Sequence, residues 1–511
     1  MTQDKPHGWL AGEVSRFSEM LDHWGATAPD RVAIVNRDVS LTFGELARDA
    51  ARLADALSDL GLGPRDRMFA VGENTVGAVL LVFAANRIGA SLTLVNARMQ
   101  TSEIEVLQGF GDPKLSVFAT EGSPKTAEHA EALGAKPLNL DTVGGDIRVL
   151  PGNAKAEPNE DRGSTGADIA MIMFTSGTTG TPKGVMITND TMLAQAKSQC
   201  FTRAIGPEDT FYVVSPMSHQ IGLSGSVISS ICAGARMVLP PRHDPDLLVR
   251  MVADGEVTVL VGVPQLYNGL LDHADREGID LSGARLRIAG CGGAPLDPAL
   301  KARALDRLGV ILGNGYGSTE FVPASRVPPG AEVAPNVVGK LEAGVECRIV
   351  DEAGNDLPDG EDGEIWVRGP FMMAGYFRNP QATAEVMRDG GWLATGDIGV
   401  MRDGMLAITG RKKEIIIRSG FNVYPTDVEA ALTAHPDVNM AAVLGRSVPG
   451  NEEIVGFVTA LPGRKLDPAE VRDFTRRTLT PYKVPSEVIV LDEMPVGPTG
   501  KILKTALKPK L

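Results

Sequence analysis

Cysteine is scarce in this chain: Cys200, Cys232, Cys291 and Cys347 are the only four in 511 residues, and no two form a CxxC pair. That spacing argues against a zinc site or a disulfide framework and suits a reducing compartment. Long hydrophobic runs are missing as well. The stretch 76–85 is about half of the ~20 apolar residues that span a bilayer, so no membrane span is expected. The opening MTQDKPHGWLAGE has no basic segment followed by an apolar one. It does not read as a secretory signal, and a cytoplasmic location is expected. Basic charge is in deficit, with 50 Lys+Arg against 64 Asp+Glu and a formal net charge of -14. A general nucleic-acid binder would show the opposite balance.

The composition that remains is that of a globular enzyme-sized protein, 43% hydrophobic and 22% charged. Its length suggests two to four domains. The 58 glycines and 34 prolines are scattered among apolar segments, which points to many tight turns and to binding through the backbone. Thr42 followed by Glu45 reads as a capping box, and Leu46, Ala50, Leu53 and Leu57 then share one helical face. Short apolar runs at 68–71, 91–95 and 115–119 read as buried strands between helices. The alternation predicts an α/β architecture with a largely parallel sheet. Residues 151–166 are polar and read as an exposed connector. Strands at 258–263 and 287–289 and a helix at 298–308 continue the pattern. From about 335 to 410 the chain turns β- and glycine-rich, with strands at 345–350 and 364–367. After Gly410 a compact α+β unit of about 100 residues is expected: helix 425–434, strands near 440–444 and 454–461, helix 468–479. Residues 411–511 also hold 15 basic against 12 acidic residues, so the acidic surplus belongs to the part before them.

The strongest local signal is TSGTTGTPKG at 175–184. Three glycines let the backbone approach a ligand, so that its N–H groups can form an anion nest. Thr175, Ser176, Thr178, Thr179 and Thr181 add hydroxyl donors, and Lys183 adds positive charge. The combination suits a polyphosphate, though no Gly-Lys-Ser/Thr opens a helix as in a Walker A loop. The plainer reading is a Gly/Thr hairpin turn, which would need neither this length nor the lysine.

The loop resembles the phosphate loop of the AMP-forming acyl-adenylating enzymes, a family of acyl-CoA synthetases, peptide-synthetase adenylation domains and luciferases. Other segments resemble that family in the same order. GCGGAPL (290–296) and NGYGSTE (314–320) are similar to its adenine-binding segments, and GEIWVRG (363–369) to a structural motif. Asp397 with Arg411 resembles its ribose-binding pair, and PTGK (498–501) its C-terminal catalytic lysine motif. The similarity covers about residues 30–505. It implies a large N-terminal domain, 1–411, with α/β subdomains and a β-rich subdomain, and a small mobile α+β domain, 412–511.

The resemblance also implies roles. ATP would be held by Thr175, Ser176, Gly177, Thr178, Thr179, Gly180 and Lys183, by Gly292, Gly293 and Ala294, and by Asn314, Gly315, Tyr316, Gly317 and Ser318. Tyr316 would stack on adenine, and Asp397 and Arg411 would hold the ribose. Thr319 would donate to the α-phosphate, and Glu320 would hold Mg2+, a hard ion that prefers oxygen ligands. Lys501 would stabilise charge building on the α-phosphate in the transition state. Lys413 would be the hinge about which the small domain turns between half-reactions. The segment SGFN (419–422), with Gly420 and Phe421, would then line the tunnel for coenzyme A; many relatives carry Gly-Gly where this chain has Gly420-Phe421. His219, in SPMSHQIG (215–222), matches a histidine beside the acyl carboxylate. Cys291 lies near these residues, but nothing beside it suggests an activated thiolate.

The function implied is that of an acyl-CoA synthetase acting on a monocarboxylic acid, fatty or aryl, with MgATP and coenzyme A; a homodimer is compatible with it. The alternative is a stand-alone adenylating enzyme that loads a carrier protein. The stretch Gln220–Ser226 lacks the acid with which amino-acid activators hold an ammonium group. Segments 219–224, 263–266, 290–293 and 315–318 should form the acyl pocket. They are rich in Gly, Ser, Ile, Leu and Val, without a clear cation, which favours an apolar monocarboxylate.

Overall fold

The structure is a computed structural model that describes residues 14–36, 39–175, 182–240, 242–293, 296–328, 330–334, 336–418, 421–449, 451–497 and 502–511, the side chains of residues 39 and 422 apart. Near the start, Thr42 Oγ1 accepts from Glu45 N at 3.2 Å and the Glu45 carboxylate accepts from Thr42 N at 2.8 Å. This capping box begins the helix Phe43–Asp59, which buries Leu46, Ala50, Leu53 and Leu57. The apolar run at 76–85 forms the helix Val76–Ile88, buried from Val76 to Asn86. It is a core helix rather than a membrane span. Its buried amide at Asn86 is satisfied, accepting from Ser18 N at 2.8 Å and donating to Asn189 Oδ1 at 2.6 Å.

Two sheets organise the large part. In the first, Arg67–Gly72 lies between Ser91–Asn96 and Leu115–Ala119, all parallel. Ile169–Thr175 joins parallel to Ser91–Asn96, and the chain then returns antiparallel as Lys183–Thr188. In the second, Val259–Gly262, Ile288–Cys291 and Gly313–Ser318 run parallel. Phe321–Arg326 folds back against the last of these, and every later strand of the sheet, from Val337–Leu341 to Glu346–Val350 at the edge, pairs antiparallel. The parallel pattern expected up to about residue 320 ends at this hairpin, and the β-rich stretch expected after about 335 supplies the antiparallel part. The cause of the reversal is the two-residue turn at Thr319–Glu320, too short for the crossover a parallel partner needs.

After Arg411 a short turn, Lys412–Glu414, leads to a unit with its own core of Ile416, Val423, Val428, Leu432, Val443, Ile454, Val458, Val471 and Val488. The hairpin Val438–Val448 with Asn451–Ala460 carries the parallel strand Glu487–Leu491, and helices Pro425–Thr433 and Pro468–Thr475 cover it. The second helix stops four residues earlier than the periodicity suggests. Turns at Arg476–Thr478 replace its last coil, ahead of the proline at 481. No described helix is long and apolar enough to cross a membrane.

Candidate active site

The hairpin formed by Ile169–Thr175 and Lys183–Thr188 closes at the pair Thr175–Lys183. Lys183 thus stands opposite Thr175 at the end of the paired strands. Ser176, Gly177, Thr178, Thr179 and Gly180 lie outside the described residues, as does Ala294. Lys183 Nζ sits 4.9 Å from the centre of the Tyr376 ring. The Tyr376 hydroxyl donates to Glu320 Oε1 at 2.9 Å. Burial, and then the Glu320 charge, raise the Tyr376 pKa, so the phenol stays a donor at ordinary pH.

Sequence reasoning missed Tyr376. Its place depends on Gly375–Tyr376 pairing with Val185 and Met186, nearly 200 residues away, and on its N–H donating to Thr383 Oγ1 at 2.9 Å. Nothing local to the stretch AGYF announces that register. Glu320 is steadied from the same segment, for its carbonyl accepts from Met373 N at 2.8 Å.

Thr319 and Glu320 form the tip of the hairpin whose strands are Gly313–Ser318 and Phe321–Arg326. Only glycine fits at 317: a Cβ there would lie 2.7 Å from Val322 Cγ2 and 2.9 Å from the Phe321 carbonyl oxygen. Further down the same strand, Tyr316 donates its hydroxyl to Asp397 Oδ2 at 2.7 Å. Arg411 Nε donates to Asp397 Oδ1 at 2.8 Å from the facing position of the next strand. Asp397 is buried, and its N–H donates to Thr395 Oγ1 at 3.1 Å. Both carboxylate oxygens thus have a protein partner and keep one lone pair each. Burial, followed by the Asp397 charge, holds the Tyr316 hydroxyl well above its ordinary pKa.

Gly292 and Gly293 follow the strand Ile288–Cys291. Gly292 donates to the Gly262 carbonyl at 3.0 Å, and Gly293 has φ +77°, a left-handed conformation that favours glycine. Asn314 is buried, and its side-chain oxygen accepts from Gly315 N at 3.0 Å. His219 caps the short helix Gln220–Gly222, with Nδ1 accepting from Ile221 N at 3.3 Å. That contact leaves Nε2 to carry the ring proton. Cys291 is buried, and burial pushes its thiol up to about 12, which agrees with the inert reading.

These segments occur together in a family that the chain matches over most of its length. A model described as "AMP-binding enzyme" matches residues 21–377, and one described as "AMP-binding enzyme C-terminal domain" matches 427–501. The chain belongs to the AMP-binding enzyme family. It is 33% identical to a feruloyl-CoA synthase of Amycolatopsis over 93% of this chain and 95% of that protein. It is 31% identical to an indoleacetate–CoA ligase of Aromatoleum aromaticum over 96% of each. Among solved structures, ATP-bound MatB from Rhodopseudomonas palustris superposes with a TM-score of 0.84 at 28% identity, over 96% of this chain and 98% of that one.

In this AMP-binding enzyme the remaining sequence-marked residues lie on or next to the C-terminal unit. Lys413 is exposed in the turn Lys412–Glu414. Phe421 is 55% exposed, and its ring stacks on Tyr482 with centroids 4.7 Å apart. Gly420 and Lys501 lie outside the described residues. The chain on either side of Lys501 is anchored: Val496 bridges to Ile502, and Leu503 N donates to the Pro495 carbonyl at 2.8 Å. Lys504 reaches back to Glu414 at 2.6 Å and Glu429 at 2.9 Å. The basic tail of the sequence is thus tied to the turn that carries Lys413.

Proposed function

We propose that the chain is an acyl-CoA synthetase that activates a monocarboxylic acid, fatty or aryl, in two steps at one site. The carrying observation is the hairpin Gly313–Arg326. Its strand reaches the Asp397–Arg411 pair through Tyr316, and its tip places Glu320 beside Tyr376 and Lys183. A carboxylate with free lone pairs suits ribose hydroxyls, and a lysine with a lone acidic oxygen suits phosphates. Tyr316 and Glu320, which reach the two, have three residues between them, which suits a ligand holding a sugar at one end and phosphates at the other.

In the first step a carboxylate oxygen of the acid attacks the α-phosphorus of ATP, and pyrophosphate leaves. Lys183, with the stretch before it, would hold phosphate oxygens, Thr319 would donate to the α-phosphate, and His219 would orient the acid. Lys501 would stabilise the negative charge that grows on the α-phosphate. Glu320 fits Mg2+ because one oxygen is occupied by Tyr376 and the other is available, and Mg2+ takes one or two carboxylates together with substrate phosphates. When bound, the ion would neutralise phosphate charge. In the second step the thiol of coenzyme A attacks the acyl carbon and AMP leaves. With the domain boundary placed at 411/412, rotation about Lys413 would replace Lys501 by the segment containing Gly420 and Phe421. Four free cysteines, three of them buried, agree with action in the cytoplasm.

The test is pyrophosphate exchange into ATP across a panel of acids, followed by a thioester assay with coenzyme A. Acid-dependent exchange followed by thioester formation is expected. Exchange that never leads to a thioester would overturn the coenzyme A reading and favour carrier-protein loading.

A further inference from the structure

One face of the central sheet carries Val261 and Val263. A Cβ on Gly293 would lie 3.7 Å from both Val263 Cγ1 and Ile221 Cδ1, close to His219 in the chain. A Cβ on Gly290 would lie 3.3 Å from Val261 Cγ1 and 3.3 Å from Arg203 Nη1. Val261 lies within the strand and Val263 just past its end, so Arg203 meets the strand and Ile221 the segment that follows it. A row thus leads from the His219 end, past Ile221, Val263 and Val261, to a guanidinium lying over the missing side chain of Gly290.

Arg203 caps the helix Asn189–Thr202, and its Nη1 is buried with no hydrogen-bond partner among the described residues. Its neighbours do not neutralise it. Arg326 already engages Glu342 at 3.2 Å and Thr202 Oγ1 at 3.1 Å, and Glu342 also accepts from Ser198 Oγ at 2.6 Å. Arg326 and Glu342 are 9% and 5% exposed, so a single buried carboxylate faces two guanidinium groups. Burial, and then the charge of Arg326, lower the Arg203 pKa to about 9, which still leaves it protonated at pH 7. An excess charge and an unmet donor at the end of this apolar row call for an oxygen acceptor.

We propose that Arg203 is a specificity-determining residue that reads a hydrogen-bond-accepting oxygen at the far end of the monocarboxylic acid, on a phenol or a ketone. The inference rests on the reading of the chain as an acid-activating enzyme. It departs from the expectation of a pocket without a clear cation. Arg203 and Arg326 come from a helix end and a strand outside the four pocket segments, and only the fold brings them to Gly290 and Gly315.

The test is kcat/KM in pyrophosphate exchange for matched acids: 3-phenylpropanoate against 3-(4-hydroxyphenyl)propanoate, and octanoate against 7-oxooctanoate. On at least one scaffold the oxygenated member should be favoured by about 10- to 100-fold, the range of a hydrogen bond to a charged donor. Arg203→Met should bring the ratio to about one or below, and Arg203→Lys should restore part of it. A wild type that prefers the apolar member on both scaffolds overturns the proposal, and so does an Arg203→Met enzyme with an unchanged ratio. The wild-type ratios decide the matter even if the methionine variant does not fold. Absence of exchange with every acid would count against acid activation itself, whereas exchange without discrimination counts against Arg203 alone.

Discussion

Lys501→Ala is expected to slow formation of acyl-AMP by about 100- to 1,000-fold, the usual loss when one preorganised donor to a developing oxyanion is removed. Release of acyl-CoA from supplied acyl-AMP should stay within a few-fold of wild type. The difference follows from where charge develops. As the carboxylate attacks, negative charge grows on the non-bridging oxygens of the α-phosphate, and an ammonium placed there favours the transition state over bound ATP. When the thiol attacks, the new charge sits on the acyl oxygen and the departing phosphate is already formed. In the sequence Lys501 falls between Val496 and Ile502, which bridge to each other within the C-terminal unit, so a turn of that unit about Lys413 would carry the lysine away. Pyrophosphate exchange reports the first step, and single-turnover thioester formation from acyl-AMP reports the second. Equal losses in both would contradict two arrangements of the small domain.

Asp397→Asn should raise KM for ATP by about 30- to 100-fold. The substitution removes the negative charge that holds Arg411 and replaces one acceptor by an NH2 that competes with the Tyr316 hydroxyl. A buried donor left unpaired costs about 1–3 kcal/mol. Arg411 is 49% exposed on its side chain, so the ion-pair part is discounted for solvent screening and adds little. Most of the effect therefore comes from two sources: the disordered Tyr316 and the lost acceptors for the ribose. The Tyr316 pKa is raised, so the phenol remains protonated up to alkaline pH, and the defect should not be relieved between pH 6 and 9. Steady-state kinetics at those two pH values check it. A variant with unchanged KM and only a lower melting temperature would make Asp397 structural.

The features legible in the sequence were those set by near neighbours in the chain. The Thr42–Glu45 capping box spans three residues, and the buried strands around 68–71 and 115–119 show as short apolar runs. The partners of Tyr316 and Glu320 were not of that kind. Asp397 and Arg411 were assigned to the nucleotide, but the register of Trp392–Arg402 with Met405–Arg411 also aims them at Tyr316. Tyr376 meets Glu320 only because an added strand pairs with Lys183–Thr188, and no local periodicity encodes that. In the second sheet the change from the alternating pattern to a β-rich stretch was legible, whereas the point of reversal rests on a two-residue turn within a motif already marked for binding.

Charge patterning connects the two parts. The surplus of acid lies before residue 411, so long-range attraction of ATP and coenzyme A is not built into the large part. Local cations, Lys183, Arg411 and Lys413 together with Lys501, would have to supply it, three of the four at or beyond the junction.

The central claim is that the carboxylate of the acid attacks the α-phosphorus. Acid labelled with 18O in both carboxylate oxygens, incubated with MgATP and coenzyme A, tests it most directly by mass spectrometry of the products. The account predicts one 18O in AMP, one in the thioester carbonyl and none in pyrophosphate. Formation of ADP with 18O in orthophosphate, or of unlabelled AMP beside the thioester, would contradict it.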